Sequence, residues 1–168
     1  LNVNHRNANL KLYEFGNCYF YNEAARSEES ATAPYSENYR LAIAVTGLAT
    51  PQSWNSKAEQ ASFYTLRASV ELLLRRFGVD IYALRTESLD SDLFGDAVEL
   101  YVNNKPFVQM GQVNAKICKA FDLKQDVFFA EIDFDMLLKA TRKHKVAATE
   151  LSKYPEVKRD LALLVDKG

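Results

Sequence analysis

Three acids spaced by two, Glu131, Asp133 and Asp135, stand at the end of the apolar run from Val127 to Phe134. Strand alternation would put them on one face, as metal ligands or an acid–base pair require. The same spacing describes the solvent side of a half-buried strand that runs into a helix N-terminus, where acids are favoured. We adopt this second reading. Cys18 and Cys118 form no C-x-x-C pair, which argues against a disulfide framework or a thiolate zinc site. Neither has a histidine near it in sequence, so both read as small buried apolar residues rather than nucleophiles. With two histidines, His5 and His144, there is little room for imidazole chemistry. Trp54 and Phe63 offer a ligand-stacking pair; we read them instead as a staple at the start of a helix. The six glycines, at 16, 47, 78, 95, 111 and 168, fit no G-x-G-x-x-G or phosphate-loop spacing, and no G-x-S-x-G elbow is present. We therefore assign no catalytic, cofactor-binding or metal-ligating residue.

The elements that must position these residues belong to a chain of 168 residues, 48% hydrophobic and 26% charged, with net charge −1. That is one domain, or one domain and a piece of another. A chain of this size buries roughly 70% of its unfolded surface and needs no metal or disulfide to hold it together. The charge excludes a generic polyanion binder. The longest aliphatic run, Leu161 to Val165, is far short of a membrane span.

Leu10 to Tyr21 is rich in aromatics on both faces, which predicts a long central strand. Gly16 within it suggests a bulge or a close backbone approach. Residues 22–38 read as a loop. From Arg40 to Thr46, large Leu41, Ile43 and Val45 alternate with small Ala42 and Ala44, a strand with a tightly packed second face. Ser56 and Glu59 form an S-x-x-E capping box, and Phe63, Leu66, Val70, Leu73 and Phe77 recur at steps of three and four. Arg75, Arg76 and Gly78 suit the C-terminal end, so a helix is predicted over about 57–77. Short strands follow at Val79–Arg85, through Val98, Leu100 and Val102, and at Phe107–Val113, with a hairpin at Asn103-Asn104. A short helix at Ala115–Phe121, a strand at Val127–Phe134 and a helix at Met136–Thr141 led by Asp135 complete the series. Hairpins with helices that do not alternate one-for-one predict an α+β fold with a mainly antiparallel sheet.

Residues 1–138 hold 13 Lys/Arg against 18 Asp/Glu, whereas 139–160 hold seven against three, so a boundary is expected near 139–150. The basic stretch is read either as a solvated linker or as a phosphate-contacting one. The chain begins at Leu1 inside a polar stretch, where Asn2 to Asn9 is expected to end a helix, and stops just after an apolar run. We expect a piece of a longer protein.

Three segments together resemble a known family. They are Leu12-Tyr13-Glu14-Phe15-Gly16 before an aromatic strand; Trp54 with Phe63-Tyr64, Leu66, Val70-Glu71 and Leu73-Leu74; and Leu151-Ser152-Lys153-Tyr154-Pro155-Glu156-Val157-Lys158-Arg159-Asp160 with its continuation to Asp166. In this order they are similar to the β chain of bacterial phenylalanyl-tRNA synthetases. Where the family carries His-Pro-Gly before the strand at 97–102, this chain reads Asp92-Leu93-Phe94-Gly95-Asp96; where it often carries His-Pro, this chain reads Val113-Asn114-Ala115-Lys116.

The resemblance implies a class II synthetase-like antiparallel sheet flanked by helices. It implies a catalytic-like core domain over 1–148, whose upstream half is missing, and over 149–168 the truncated start of a ferredoxin-fold anticodon-binding domain. It further implies an α-chain partner that makes the phenylalanyl-adenylate, phenylalanine tRNA, ATP and magnesium for the whole enzyme, an assembly of two α and two β chains, and a cytoplasmic location. Lys153, Lys158 and Arg159 would lie near the tRNA in the intact protein. The residues agree that this piece is not catalytic. Adenylation needs a cation on the α-phosphate, from an Arg-x-Glu strand signature, and a Gly-rich segment ending in arginine. Here the nearest strand pattern, Leu12-Tyr13-Glu14, supplies no cation, and Phe77-Gly78 and Phe94-Gly95 lack a partner glycine. The alternatives are an active class II-like adenylate-forming ligase domain and an unrelated α+β small-molecule binding module.

Overall fold

The computed structural model describes residues 7–27, 30–142, 144, 153–154, 157–159 and 161. Two twelve-residue strands, β1 (Leu10–Tyr21) and β2 (Tyr35–Thr46), open the chain as a hairpin in unbroken antiparallel register, from Leu10 opposite Thr46 to Tyr21 opposite Tyr35. The second strand thus begins five residues before Arg40, inside the stretch expected to be loop. A short ribbon follows, β3 (Leu48–Thr50) with β4 (Glu59–Gln60), then helix α1 (Phe63–Arg76). After a 3-10 turn at Ile81–Ala83 come β5 (Arg85–Ser88), β6 (Phe94–Val102), β7 (Lys105–Val113), the short helix α2 (Ala115–Ala120), β8 (Val127–Asp133) and α3 (Phe134–Thr141). The expected strand at Val79–Arg85 is therefore that turn and the first residue of β5.

Six strands form one sheet in the order β1-β2-β8-β7-β6-β5, with every neighbouring pair antiparallel. The α+β, mainly antiparallel architecture is as the hairpin signals predict. Asn103 and Asn104 close β6–β7 with φ of 50° and 61°, the left-handed turn their side chains tolerate.

One expectation fails plainly. β1 is the outer strand, not a central one, and Leu12, Tyr13, Phe15, Tyr19, Phe20 and Tyr21 are exposed on it. A two-faced apolar strand does reveal that cover is expected on both faces; it does not reveal whether this chain supplies it. Nor does Gly16 mark a bulge, because its register with Arg40 is regular.

Leu41 and Val45 of β2, Val108 and Met110 of β7, Leu100 of β6 and Ala130 and Ile132 of β8 are buried beneath Leu66, Val70 and Leu74 of α1 and Leu137 of α3. The α1 stripe is rotated from the predicted one: Leu74 is fully buried, while Leu73 is only partly covered. The helix also starts later than predicted. Ser62, not Ser56, is its cap: the Ser62 hydroxyl accepts from Thr65 N–H, and the Thr65 hydroxyl accepts from Ser62 N–H at 3.2 Å. Glu59, the other half of the expected box, lies in β4. Trp54 is 97% exposed on the loop between β3 and β4 and staples nothing. Among the described residues no helix is long and apolar enough to cross a membrane.

Candidate functional site

The helices cover one face of the sheet and leave the other open. Directly paired residues of antiparallel strands share a face, so the register reads out a row across the open side: Glu14 of β1, Ala42 of β2, Glu131 of β8, Gln109 of β7, Glu99 of β6 and Glu87 of β5. Ala42 thus lies on the open face rather than in a second packed layer. Beside this row, Gly16, Arg40 and Asp133 form another. A third runs through Leu12, Ala44, Phe129, Gly111 and Ala97. Gly111 is required there, because a β-carbon would overlap the Asp96 carbonyl oxygen and Ala97. Its absence lets β6 and β7 close up beside the stacked pair Phe94–Phe129.

Several polar groups on this face pair with one another, while Arg40 Nε is buried without a hydrogen-bond partner. Arg40 forms an ion pair with Glu131, its diagonal neighbour across the β2–β8 ladder, and its guanidinium lies 5.4 Å from the Phe20 ring centre. At the other end, Arg85 reaches Glu87 at 3.4 Å and stacks 4.3 Å over Tyr101. The Tyr101 hydroxyl donates to Glu99 at 2.8 Å, and the Gln109 amide donates to the other Glu99 oxygen at 2.7 Å. That hydrogen bond to Glu99, with partial burial and the Glu99 and Glu87 charges, pushes the Tyr101 phenol up to about 12. Both arginines are thus committed to glutamates, and Glu14 and Glu99 leave an excess of negative charge.

The three acids singled out in the sequence are used separately. Glu131 holds Arg40. Asp133 is the N-cap of α3, accepting from Met136 N–H at 2.8 Å and from the Asn38 amide at 3.1 Å. Asp135, in the first turn of that helix, accepts from Tyr39 N–H at 3.0 Å. The helix N-terminus reading accounts for Asp133 and Asp135. Cys118 is buried, as expected, but Cys18 on β1 is only half-buried. Lys153, Lys158 and Arg159 are exposed, as are Tyr154, Val157 and Leu161. The rest of the basic stretch from 145 and the apolar run beyond Leu161 lie outside the described residues.

Sequence reasoning missed the Glu99–Tyr101–Gln109 and Arg40–Glu131 groups. Glu99 and Tyr101 do alternate with Val98, Leu100 and Val102, so the strand pattern puts both on the polar side. What they meet depends on the pairing of β6 with β7 and of β2 with β8.

Residues 1–134 match the family model described as the phenylalanyl tRNA synthetase beta chain CLM domain. The chain belongs to the phenylalanyl-tRNA synthetase β-chain family. It is 41% identical over 168 residues to the phenylalanine–tRNA ligase beta subunit of Bacteroides thetaiotaomicron, covering 99% of this chain and 20% of that one. To the beta subunit of Porphyromonas gingivalis it is 36% identical over 168 residues, again with 20% of the relative covered. The chain thus spans about a fifth of the length of these synthetase β chains. Among solved structures, the pyrrolysyl-tRNA synthetase of Desulfitobacterium hafniense superposes with a TM-score of 0.53 at 13% identity, over 82% of this chain and 43% of that one. A second structure from the same organism, PylSc, gives 0.51 at 15% identity, over 77% and 41%. The fold is therefore that of a tRNA synthetase.

Proposed function

We propose that this chain is a non-catalytic structural and assembly domain within the β subunit of a phenylalanine–tRNA ligase. In this reading the sheet is of the class II synthetase type. The α chain activates phenylalanine and carries it to its tRNA, using ATP and magnesium that this piece does not hold. One observation carries the proposal: among the described residues, the two arginines on the open face of the sheet, Arg40 and Arg85, are each paired with a glutamate. Arg40 and Arg85 are both neutralised by glutamates, and two further glutamates make the face repel a polyphosphate. An adenylate-forming ligase of the same superfamily would need the opposite charge there.

In the intact protein, residues 1–148 form the catalytic-like core and 149–168 open an anticodon-binding domain with a ferredoxin fold. The assembly contains two α and two β chains and works in the cytoplasm. Lys153, Lys158 and Arg159 lie near the tRNA. Replacing all three with alanine in the whole enzyme lowers the salt dependence of tRNA binding, and an unchanged slope would remove them from the interface. Amino-acid-dependent pyrophosphate exchange tests the main reading. The chain alone gives none, the α–β enzyme does, and Arg40→Ala in the β chain leaves that rate unchanged. Exchange by the chain alone would overturn it.

A further inference from the structure

The two strands of the β1–β2 hairpin do not themselves dictate their register. A slip by one residue would exchange the faces, but a slide by two keeps every side chain on its own face, and little of β1 is buried to resist it. Such a slide would put Tyr13 opposite Leu41 in the place of Phe15, Phe15 opposite Tyr39 and Tyr19 opposite Tyr35, aromatic against aromatic. It would also bring Glu14 opposite Arg40, where Gly16 now stands, to compete with Glu131 for the guanidinium. The connection from Asn22 to Pro34 does not decide the matter, being far longer than the two-residue turns that set hairpin register. Its closing bond, from Asn22 N–H to the Pro34 carbonyl at 2.7 Å, joins backbone groups that every register offers.

Residue-specific bonds gather at the other end of the hairpin. Asn9, just before β1, accepts through Oδ1 from Leu48 N–H at 2.8 Å. Gln125, just before β8, donates from its amide to the Ala8 carbonyl and, at 2.7 Å, to the Thr46 hydroxyl. That hydroxyl in turn donates to the Asp126 carbonyl at 2.7 Å, so Thr46, buried at the end of β2, is satisfied on both sides. A carbonyl only accepts, so the Ala8 oxygen demands the amide nitrogen of Gln125 and not its oxygen. Gly47 makes the room: its φ is 78°, and a β-carbon there would overlap the Ala8 carbonyl oxygen and Asn9 Oδ1. A slide by two residues moves Ala8 and Asn9 by about 7 Å and breaks all of these contacts together.

We propose that Asn9, Gly47 and Gln125 are the register lock of the β1–β2 hairpin. By tying the entry of β1 to the ends of β2 and β8, they keep Glu14 one step away from Arg40 and so decide the charge pairing on the open face.

Cys18 can report the register, because it stands opposite Asn38 and would stand opposite Ser36 after the slide. Asn38→Cys and Ser36→Cys, made separately in the purified chain and oxidised alike, are compared by peptide mapping of the cross-link to Cys18. We expect a cross-link at 38 and little at 36. Gln125→Glu keeps the size of the side chain but cannot donate to the Ala8 carbonyl, and should raise the ratio of 36 to 38 cross-linking about tenfold. Asn9→Ala deletes one exposed bond and leaves the Thr46 network whole, so the chain stays folded and the ratio rises by a smaller factor. No rise in either variant overturns the proposal. So does ready cross-linking at 36 with Asn9 and Gln125 in place.

Discussion

The two faces of the six-stranded sheet are made by the same strands and differ in how they are held. Under α1 and α3, Leu41, Val45, Val108, Met110, Ala130 and Ile132 lose nearly all contact with solvent. On the open side, Glu14, Glu131, Gln109, Glu99 and Glu87 stand in a row, and what order they have comes from hydrogen bonds and ion pairs among themselves. Burial of apolar area is the large term in folding, at about 25 cal/mol per Å². Partly exposed ion pairs contribute at most about 1 kcal/mol. The covered face therefore carries the stability, and the open face is free to vary in chemistry without unfolding the domain. In this chain it carries more glutamates than arginines.

The sharpest way to break that comparison is Leu74→Ala. Leu74 is fully buried, and its removal should cost roughly 2–5 kcal/mol in urea unfolding, by lost transfer and a residual cavity. A loss below about 1 kcal/mol would show that α1 is not what covers the sheet. Leu73→Ala, at the adjacent and only partly covered residue, should cost clearly less. Next in size is Gly111→Ala on the open side, at roughly 1–3 kcal/mol, because the new methyl meets the Asp96 carbonyl and Ala97. No loss there would mean that β6 and β7 are less closely paired than the structure has them.

Capping distinguishes two serines. Ser62→Ala should cost about 1 kcal/mol through the lost bond to Thr65 N–H. Ser56→Ala, in the loop before β4, should cost much less, and equal losses would restore the earlier helix start. Smaller still, Glu131→Gln should change stability by about 1 kcal/mol or less, since the Arg40 pair is partly exposed. A loss matching that of Leu74→Ala would end the contrast between the faces.

The last effect is in titration rather than stability. Tyr101, held near 12, should ionise after an ordinary tyrosine, and Tyr101→Phe should remove the latest step from the ultraviolet titration. The sign follows from the direction of the shift. The folded value lies above the unfolded one of 10.0, so the stabilisation is fully present below pH 10 and is lost as pH rises from about 10 to about 12. Glu99→Gln should move the phenol back toward its ordinary value, because the bond to Glu99 is the largest cause. An unmoved step would show that the Glu99–Tyr101 contact does not form.

Much of the architecture was legible along the chain because its signals are local. Alternation across residues 41–45 and 98–102 marks strands, Asn103-Asn104 marks a hairpin, and Leu66 and Val70 mark the inner side of a helix. The resemblance carried by the Leu12–Gly16, Trp54–Leu74 and Leu151–Asp166 segments points to the family from the residues alone. Boundaries were less legible where two signals competed. Ser56-x-x-Glu59 is the more familiar capping pattern, yet Ser62 with Thr65 wins because β4 pairs with β3 and keeps Glu59 extended.

What the chain alone determined, then, was the kind of each element and the side on which its apolar residues fall, since both follow from the periods of two and 3.6 residues. Only the tertiary structure decided that β1 is an edge, that Arg40 meets Glu131 across ninety-one residues, and that Glu99 lies between Tyr101 and Gln109. These depend on strand order and register. A strand's own pattern says which face is apolar; it does not say which neighbour lies beside it, or that one of its sides has no neighbour at all.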